Sequence, residues 1–146
     1  MNATPPLGLL INHCGHSVRL YIDSQMRAYD ATPVQSRLLL FLKQASGQRE
    51  VTQRDLEHVL RLKAPTVNGL VARLEERGLI LRKVSKSDGR CRLVELTEEG
   101  LALADEFAET FHQAEEHLSA QFTAEEEAQL RALLNRLITN LEVSNK

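Results

Sequence analysis

Residues 52–96 are punctuated so closely that few folds can accommodate them. Thr52-Gln53-Arg54-Asp55 places an N-cap hydroxyl three residues ahead of an acid, which opens a helix by satisfying its free backbone N–H groups. Leu56, Val59 and Leu60 supply that short helix with an apolar side. A turn of about three or four residues around Arg61-Leu62-Lys63 leads to Ala64-Pro65, where proline suits the first helical turn. Val67, Leu70, Val71 and Leu74 then recur at helical spacing, and Gly78 fits the left-handed position that ends a helix. Residues 79–84 and 91–96 read as two short strands around Ser85-Lys86-Ser87-Asp88-Gly89-Arg90, which contains an Asp-Gly turn. A helix-turn-helix continued by a basic hairpin is a winged helix.

Helices flank this unit. From Leu7 to Met26, Leu7, Leu10, Ile11, Cys14, Val18, Tyr21, Ile22 and Met26 form a helical stripe. Thr32-Pro33-Val34-Gln35 is a capped start with proline at the first position. The helix it opens contains Leu38-Leu39-Leu40-Phe41-Leu42, apolar nearly all round and therefore the expected centre of the fold, with Gly47 ending it. Thr97-Glu98-Glu99 begins a further helix whose stripe is Leu101, Ala104, Ala108, Phe111 and Leu118, with Phe107 alongside. Thr123-Ala124-Glu125-Glu126 is a capping box for the last helix, where Leu130, Leu133, Leu134, Leu137, Ile138 and Leu141 make an apolar seam before a ragged Val143-Ser144-Asn145-Lys146 tail. The fold class expected is mostly α with a small β-hairpin wing.

A formal net charge of −2 speaks weakly against a nucleic-acid partner, but the charge is sorted along the chain. Residues 1–48 carry +2, residues 49–92 carry +5 from eleven basic and six acidic side chains, and residues 93–146 carry −9. Such a profile fits a polyanion-binding middle joined to an end with different work. With 42% hydrophobic and 26% charged residues the chain is of ordinary globular composition, and no apolar run approaches the ~20 residues of a membrane span. The start, Met1-Asn2-Ala3-Thr4-Pro5-Pro6, lacks the basic n-region of a secretory signal, and two distant cysteines form no disulfide framework, so the cytoplasm is the expected compartment.

The second helix of the motif suits the major groove of duplex DNA, and the hairpin tip suits backbone or minor groove. With Val67, Leu70 and Val71 turned inward, Lys63, Pro65, Thr66, Asn68, Gly69 and Arg73 remain for DNA, joined by Thr52 and Gln53 from the preceding helix. Asparagine can pair bidentately with adenine, threonine offers hydroxyl or methyl, and the cations suit guanine or phosphate. Gly69 and Ala72 let the helix sit deep. Lys86, Ser87, Asp88 and Arg90 form the wing's share. Aromatic residues make up 4% with no tryptophan, so stacking on single strands is disfavoured. No phosphate loop, HExxH or nucleophile elbow is present, so neither catalytic residues nor a cofactor are expected.

The run Thr66-Val67 through Val71-Ala72-Arg73-Leu74-Glu75-Glu76-Arg77-Gly78-Leu79-Ile80, then Asp88-Gly89-Arg90, then Leu96-Thr97-Glu98-Glu99-Gly100 resembles the MarR family of bacterial transcriptional regulators over essentially the whole chain. The resemblance implies an obligate dimer in which the first helix and the last two interlock, presenting two winged helices to a pseudo-palindromic operator. It divides the chain into an N-terminal dimerisation helix (1–30), a winged helix-turn-helix (31–96) and C-terminal dimerisation helices (97–146) within one compact domain. Ile11, Val18, Phe111, Leu130, Leu134, Leu137 and Leu141 are the expected dimer contacts. It also implies that Arg90 enters the minor groove while Asp88 orients its guanidinium, and that a small-molecule effector or an oxidant releases a repressor from DNA near the genes it controls. Cys14, Arg19, Tyr21, Tyr29 and Arg37 are candidates for the effector site.

Two other readings compete. A winged helix can be a protein-interaction module without an operator. Cys14 can alternatively be the peroxide-reactive thiol found in the first helix of some family members, or even the centre of a thiol enzyme. Those sensors place tyrosines in the following helix, and Thr32-Pro33-Val34-Gln35-Ser36 has none. On an apolar stripe a cysteine serves more simply as a small buried hydrophobe. Cys91 beside Arg90 is expected to be exposed, with no specific role. His13 and His16, even with His112 or His117, fall short of a zinc ligand set, so no metal is expected.

Overall fold

The computed structural model describes residues 3–145, so Met1, Asn2 and Lys146 lie outside the described residues. The elements run α1 (Leu7–Met26), α2 (Pro33–Ala45), α3 (Gln53–Leu60), α4 (Ala64–Glu76), β1 (Ile80–Val84), β2 (Arg92–Leu96), α5 (Glu98–Ser119) and α6 (Ala124–Ser144). The chain forms two compact units, residues 1–111 and 112–146.

Local chemistry accounts for most boundaries. Thr32 accepts the Gln35 N–H at 3.2 Å while the Gln35 side chain accepts the Thr32 N–H at 3.1 Å, a complete capping box ahead of Pro33. Thr52 and Asp55 form the same reciprocal pair at 2.9 and 3.0 Å. At the end of α4, Gly78 takes φ +74°, its N–H bonds to the Glu75 carbonyl, and the Leu79 N–H reaches back to Leu74, a Schellman closure. The turn between α3 and α4 is made without glycine: Arg61 caps α3 in the left-handed region at φ 54°.

The strands pair antiparallel from Ile80↔Leu96 to Val84↔Arg92, one residue shorter at each start than the pattern suggests. Leu79 drops out because its N–H closes α4 and its carbonyl accepts the Thr97 N–H. The Val94 N–H bonds to the Val51 carbonyl at 2.8 Å and Thr52 bridges to Leu93, so the lead-in to α3 is tied to the hairpin.

The core of the first unit is built on Leu38, Leu39, Leu56, Val67, Val71, Leu74, Ile80 and Phe107. The α2 run is thus its centre, with Leu40 and Phe41 only partly covered. Tyr29 meets Phe107 edge to face with centroids 4.9 Å apart, and its hydroxyl shares a hydrogen bond with Thr110 at 2.8 Å. Gly100 is packed so closely that a β-carbon there would overlap the Leu79 carbonyl oxygen.

Six expectations are corrected. Val59 is 47% exposed, since a helix of eight residues buries only the narrower Leu56–Leu60 edge. In α5, Phe107 and Ala104 hold the buried line while Leu101 is exposed, so the face is rotated toward the residue placed only alongside it. Thr123 accepts the Glu126 N–H at 3.2 Å, but the Glu126 side chain makes no return bond to the Thr123 N–H among the described residues, leaving half a box. The tail is helical through Ser144 rather than ragged. Cys14 is exposed in the subunit instead of buried. Cys91 is half-buried. Among the described residues no helix is long and apolar enough to cross a membrane.

Candidate nucleic-acid interface

Helix α4 separates its two sides cleanly. Val67, Leu70, Val71 and Leu74 are buried, while Lys63, Pro65, Thr66, Asn68 and Arg73 are exposed and Gly69 is half-exposed. Lys63 precedes the helix as its N-cap without a side-chain bond, so the ammonium is not used up in capping. A β-carbon built on Gly69 would meet nothing within 4 Å, so no protein contact requires glycine there.

Asn68 is not a free side chain. The Nη1 of Arg82, on β1, donates to its Oδ1 at 3.2 Å. Arg82 is in turn fixed by Glu75, which accepts from its Nε and Nη2 through Oε1 at 3.3 and 3.0 Å and from its backbone N–H through Oε2 at 3.0 Å. The side-chain and then backbone hydrogen bonds from Arg82 hold the Glu75 carboxyl below the usual glutamate range, against a smaller opposing effect of burial. Gln53, Asn68, Glu75, Arg82 and Arg92 line one polar groove of about 500 Å³. Thr52, Gln53, Arg54, Asp88, Arg90, Cys91 and Arg92 line a second of about 310 Å³. Gln53 thus belongs to both, and its Oε1 is buried without a hydrogen-bond partner among the described residues. The Thr52 hydroxyl oxygen is engaged in the α3 cap.

The wing tip is a compact turn. Ser85 N–H bonds to the Cys91 carbonyl and Cys91 N–H to the Asp88 carbonyl, each at 3.0 Å. Lys86, Ser87, Asp88 and Arg90 are all exposed. The recorded bond between Asp88 and Arg90 runs from the Arg90 backbone N–H to Asp88 Oδ1 at 3.0 Å, so the carboxylate shapes the turn rather than gripping the guanidinium.

The structure therefore adds Arg54, Arg82 and Arg92 to the residues singled out above. Their charges were visible in the basic middle of the sequence, but only the strand register turns Arg82 and Arg92 into the same groove as Asn68.

The candidates for an effector site separate. Arg37 lines a cavity of about 560 Å³ with Leu40, Phe41, Lys43, Gln44, Val59, Ala108 and Phe111. Tyr29 is committed to Phe107 and Thr110, and Cys14, Arg19 and Tyr21 on α1 lie outside that lining. No cluster of three or more His, Cys, Asp or Glu able to hold a metal occurs among the described residues. Of the expected dimer contacts, Leu130, Leu134 and Leu141 are exposed at 40, 41 and 53%, Ile11, Val18 and Leu137 are half-buried, and Phe111 packs partly on the first unit's own core.

Comparison with known proteins agrees with this architecture. A profile of the MarR family matches residues 29–90. The homoprotocatechuate degradative operon repressor of Escherichia coli is 30% identical over 118 residues, covering 81% of this chain and 78% of its own. The crystal structure of the Staphylococcus aureus MepR–DNA complex aligns with a TM-score of 0.79 at 29% identity, over 94% of this chain and 99% of that one. Staphylococcus aureus MepR bound to ethidium bromide aligns with a TM-score of 0.64 at 29% identity, over 94% and 97%.

Proposed function

The chain belongs to the MarR family, and from that premise we propose how it works as a sequence-specific, double-stranded-DNA-binding transcriptional regulator. Helix α4 enters the major groove with Lys63, Pro65, Thr66, Asn68, Gly69 and Arg73 toward the bases and phosphates, Thr52 and Gln53 border it, and the wing brings Lys86, Ser87, Asp88 and Arg90 to the neighbouring backbone or minor groove. The observation that carries this reading is the sided α4: one face entirely in the core, the other polar, basic and flanked by the arginines of β1, β2 and the wing.

A second copy of the chain completes the regulator. Leu130, Leu133, Leu134, Ile138 and Leu141 of α6 and Leu7, Leu10 and Leu20 of α1 are each at least 40% exposed in one subunit. Apolar surface on that scale favours burial against a partner, and a two-fold partner gives a two-fold operator. The acidic C-terminal third, −9 over residues 93–146, then does its work in assembly rather than on DNA. Repression is the role carried over, since the 30%-identical protein is an operon repressor, and the genes beside its own are the first targets to test. The Arg37 cavity is the place for an effector, being of ordinary ligand-site size and lined by Leu40, Phe41 and Phe111 beside two cations. An effector bound there shifts the population away from the wing spacing that DNA selects.

Fluorescence anisotropy on duplexes from the DNA flanking its own coding region tests the reading. Affinity should fall steeply with salt, with a specificity ratio over random duplex of at least about a thousandfold. Arg90→Ala should weaken operator binding roughly tenfold while leaving the melting temperature unchanged. If every flanking duplex binds no better than random DNA, the regulator reading fails.

A further inference from the structure

We propose that Asn68 reads guanine, not adenine, in each operator half-site, and that Arg82 and Glu75 are the positioning residues that decide this; the inference rests on the DNA-binding reading of α4. An asparagine reads adenine with both ends of its amide, Oδ1 accepting from the N6 amino group and Nδ2 donating to N7. Here one lone pair of the carbonyl end is taken by a cation that stays beside it. Arg82 Nη1 lies 3.2 Å from the Asn68 amide, and a guanidinium has donors only, so the atom facing it is the carbonyl oxygen. The orientation of this amide, ambiguous in an isolated asparagine, is thereby set by chemistry.

The arginine cannot easily yield. Three hydrogen bonds to Glu75 hold it, two from its own fork and one from its backbone N–H, all between 3.0 and 3.3 Å. Glu75 lies on α4 itself, two turns beyond Asn68, so the brace and the reading residue move together. To accept from an adenine amino group as well, Oδ1 would have to use its second lone pair with the Arg82 guanidinium, a cation that carries donors only, standing beside the incoming amino donor. What it offers without reorganisation is Nδ2 and its two hydrogens, which have no hydrogen-bond partner among the described residues. Guanine shows two adjacent acceptors, O6 and N7, on its major-groove edge. Adenine and cytosine place an amino donor there, which the nearby guanidinium would oppose, and thymine has one acceptor beside a methyl group.

Selection of full-length protein on a randomised duplex library, followed by sequencing, tests this with four proteins: parent, Asn68→Ala, Arg82→Ala and Glu75→Gln. Asn68→Ala should flatten one position per half-site, and at that position the parent should prefer guanine by about tenfold or more. Arg82→Ala frees the amide, so guanine should decline and adenine rise there while other positions keep their preferences. Glu75→Gln keeps the arginine but weakens its hold and should move the same position in the same direction, which also covers the case that Arg82→Ala fails to fold. Adenine at the Asn68-dependent position in the parent, no position that depends on Asn68, or a uniform loss of affinity in both brace variants overturns the proposal while leaving DNA binding intact. If the parent enriches no sequence at all, the DNA-binding reading falls first and this inference with it.

Discussion

Helices α4 and α6 both carry apolar residues at helical spacing, and they end up in opposite situations. The stripe Val67, Leu70, Val71 and Leu74 of α4 is buried within the subunit. In α6 no residue is buried, and Leu133, Ile138 and Leu141 are each more than half exposed. The same periodicity therefore serves two ends. On α4 it anchors a helix so that the opposite, polar face can be offered outward as a fixed surface. On α6 it is itself left exposed, and the second copy proposed above is what would cover it. Stability of the α4 unit is thus an intramolecular matter, whereas in the proposed dimer the spacing between two such units would be an intermolecular one.

That contrast can be broken in three places. The largest expected effect is at the joint beneath α4. A methyl group at Gly100 would overlap the Leu79 carbonyl, and this carbonyl also accepts the Thr97 N–H. The overlapping atoms are the Leu79 carbonyl, which as backbone has little room to relax, with a Leu96 methyl close by, so Gly100→Ala should cost about 3 kcal/mol or more, read as a loss of urea midpoint. A melt within experimental error of the parent would show that the joint gives way more readily than its packing implies.

Leu134→Glu on α6 probes the other half of the comparison. It should leave the subunit folded by circular dichroism yet shift the mass by light scattering from dimer to monomer. Operator affinity should then fall on the order of a hundredfold, because two half-sites no longer bind as one. A variant that stays dimeric would move the interface elsewhere.

The smallest effect is the most discriminating. Gly69 sits in the middle of α4 with open space around it. Alanine there should raise stability by about 1 kcal/mol through helix propensity alone. If α4 lies against base edges, the added methyl should at the same time lower operator affinity severalfold. Stability and binding moving in opposite directions would mark the face as the docking one; a gain in both would argue that another surface touches DNA.

How far residues announce their roles depends on the range of the interaction. Thr32, Thr52 and Gly78 act on backbone groups within four residues, and the capping and closure they imply were readable as written. Arg61 was not, because a left-handed arginine is chosen by the chain on either side of it and carries no compositional signal. Val59 and Leu101 fell on the wrong side of their helices for a related reason. Periodicity locates a face, but how wide a sector is covered depends on what packs against it. The Asn68 site shows the limit most clearly. Its spacing on α4 marked it as outward-facing, while its partner Arg82 comes from fourteen residues further on, across a helix end and onto a strand.

What the sequence determined by itself was therefore everything carried by short-range chemistry: the helix starts, the left-handed glycine, the hairpin, the segregation of charge and hence the winged helix with its basic middle. What only the tertiary structure decided was which groups share a groove and which hydrogen bonds they have already spent. Glu75, Arg82 and Asn68 are unremarkable one at a time, and the strand register is what brings them together. The physical reason is that a cap is satisfied within one turn of chain, whereas a recognition surface is defined by donors and acceptors whose neighbours arrive only when the chain folds back.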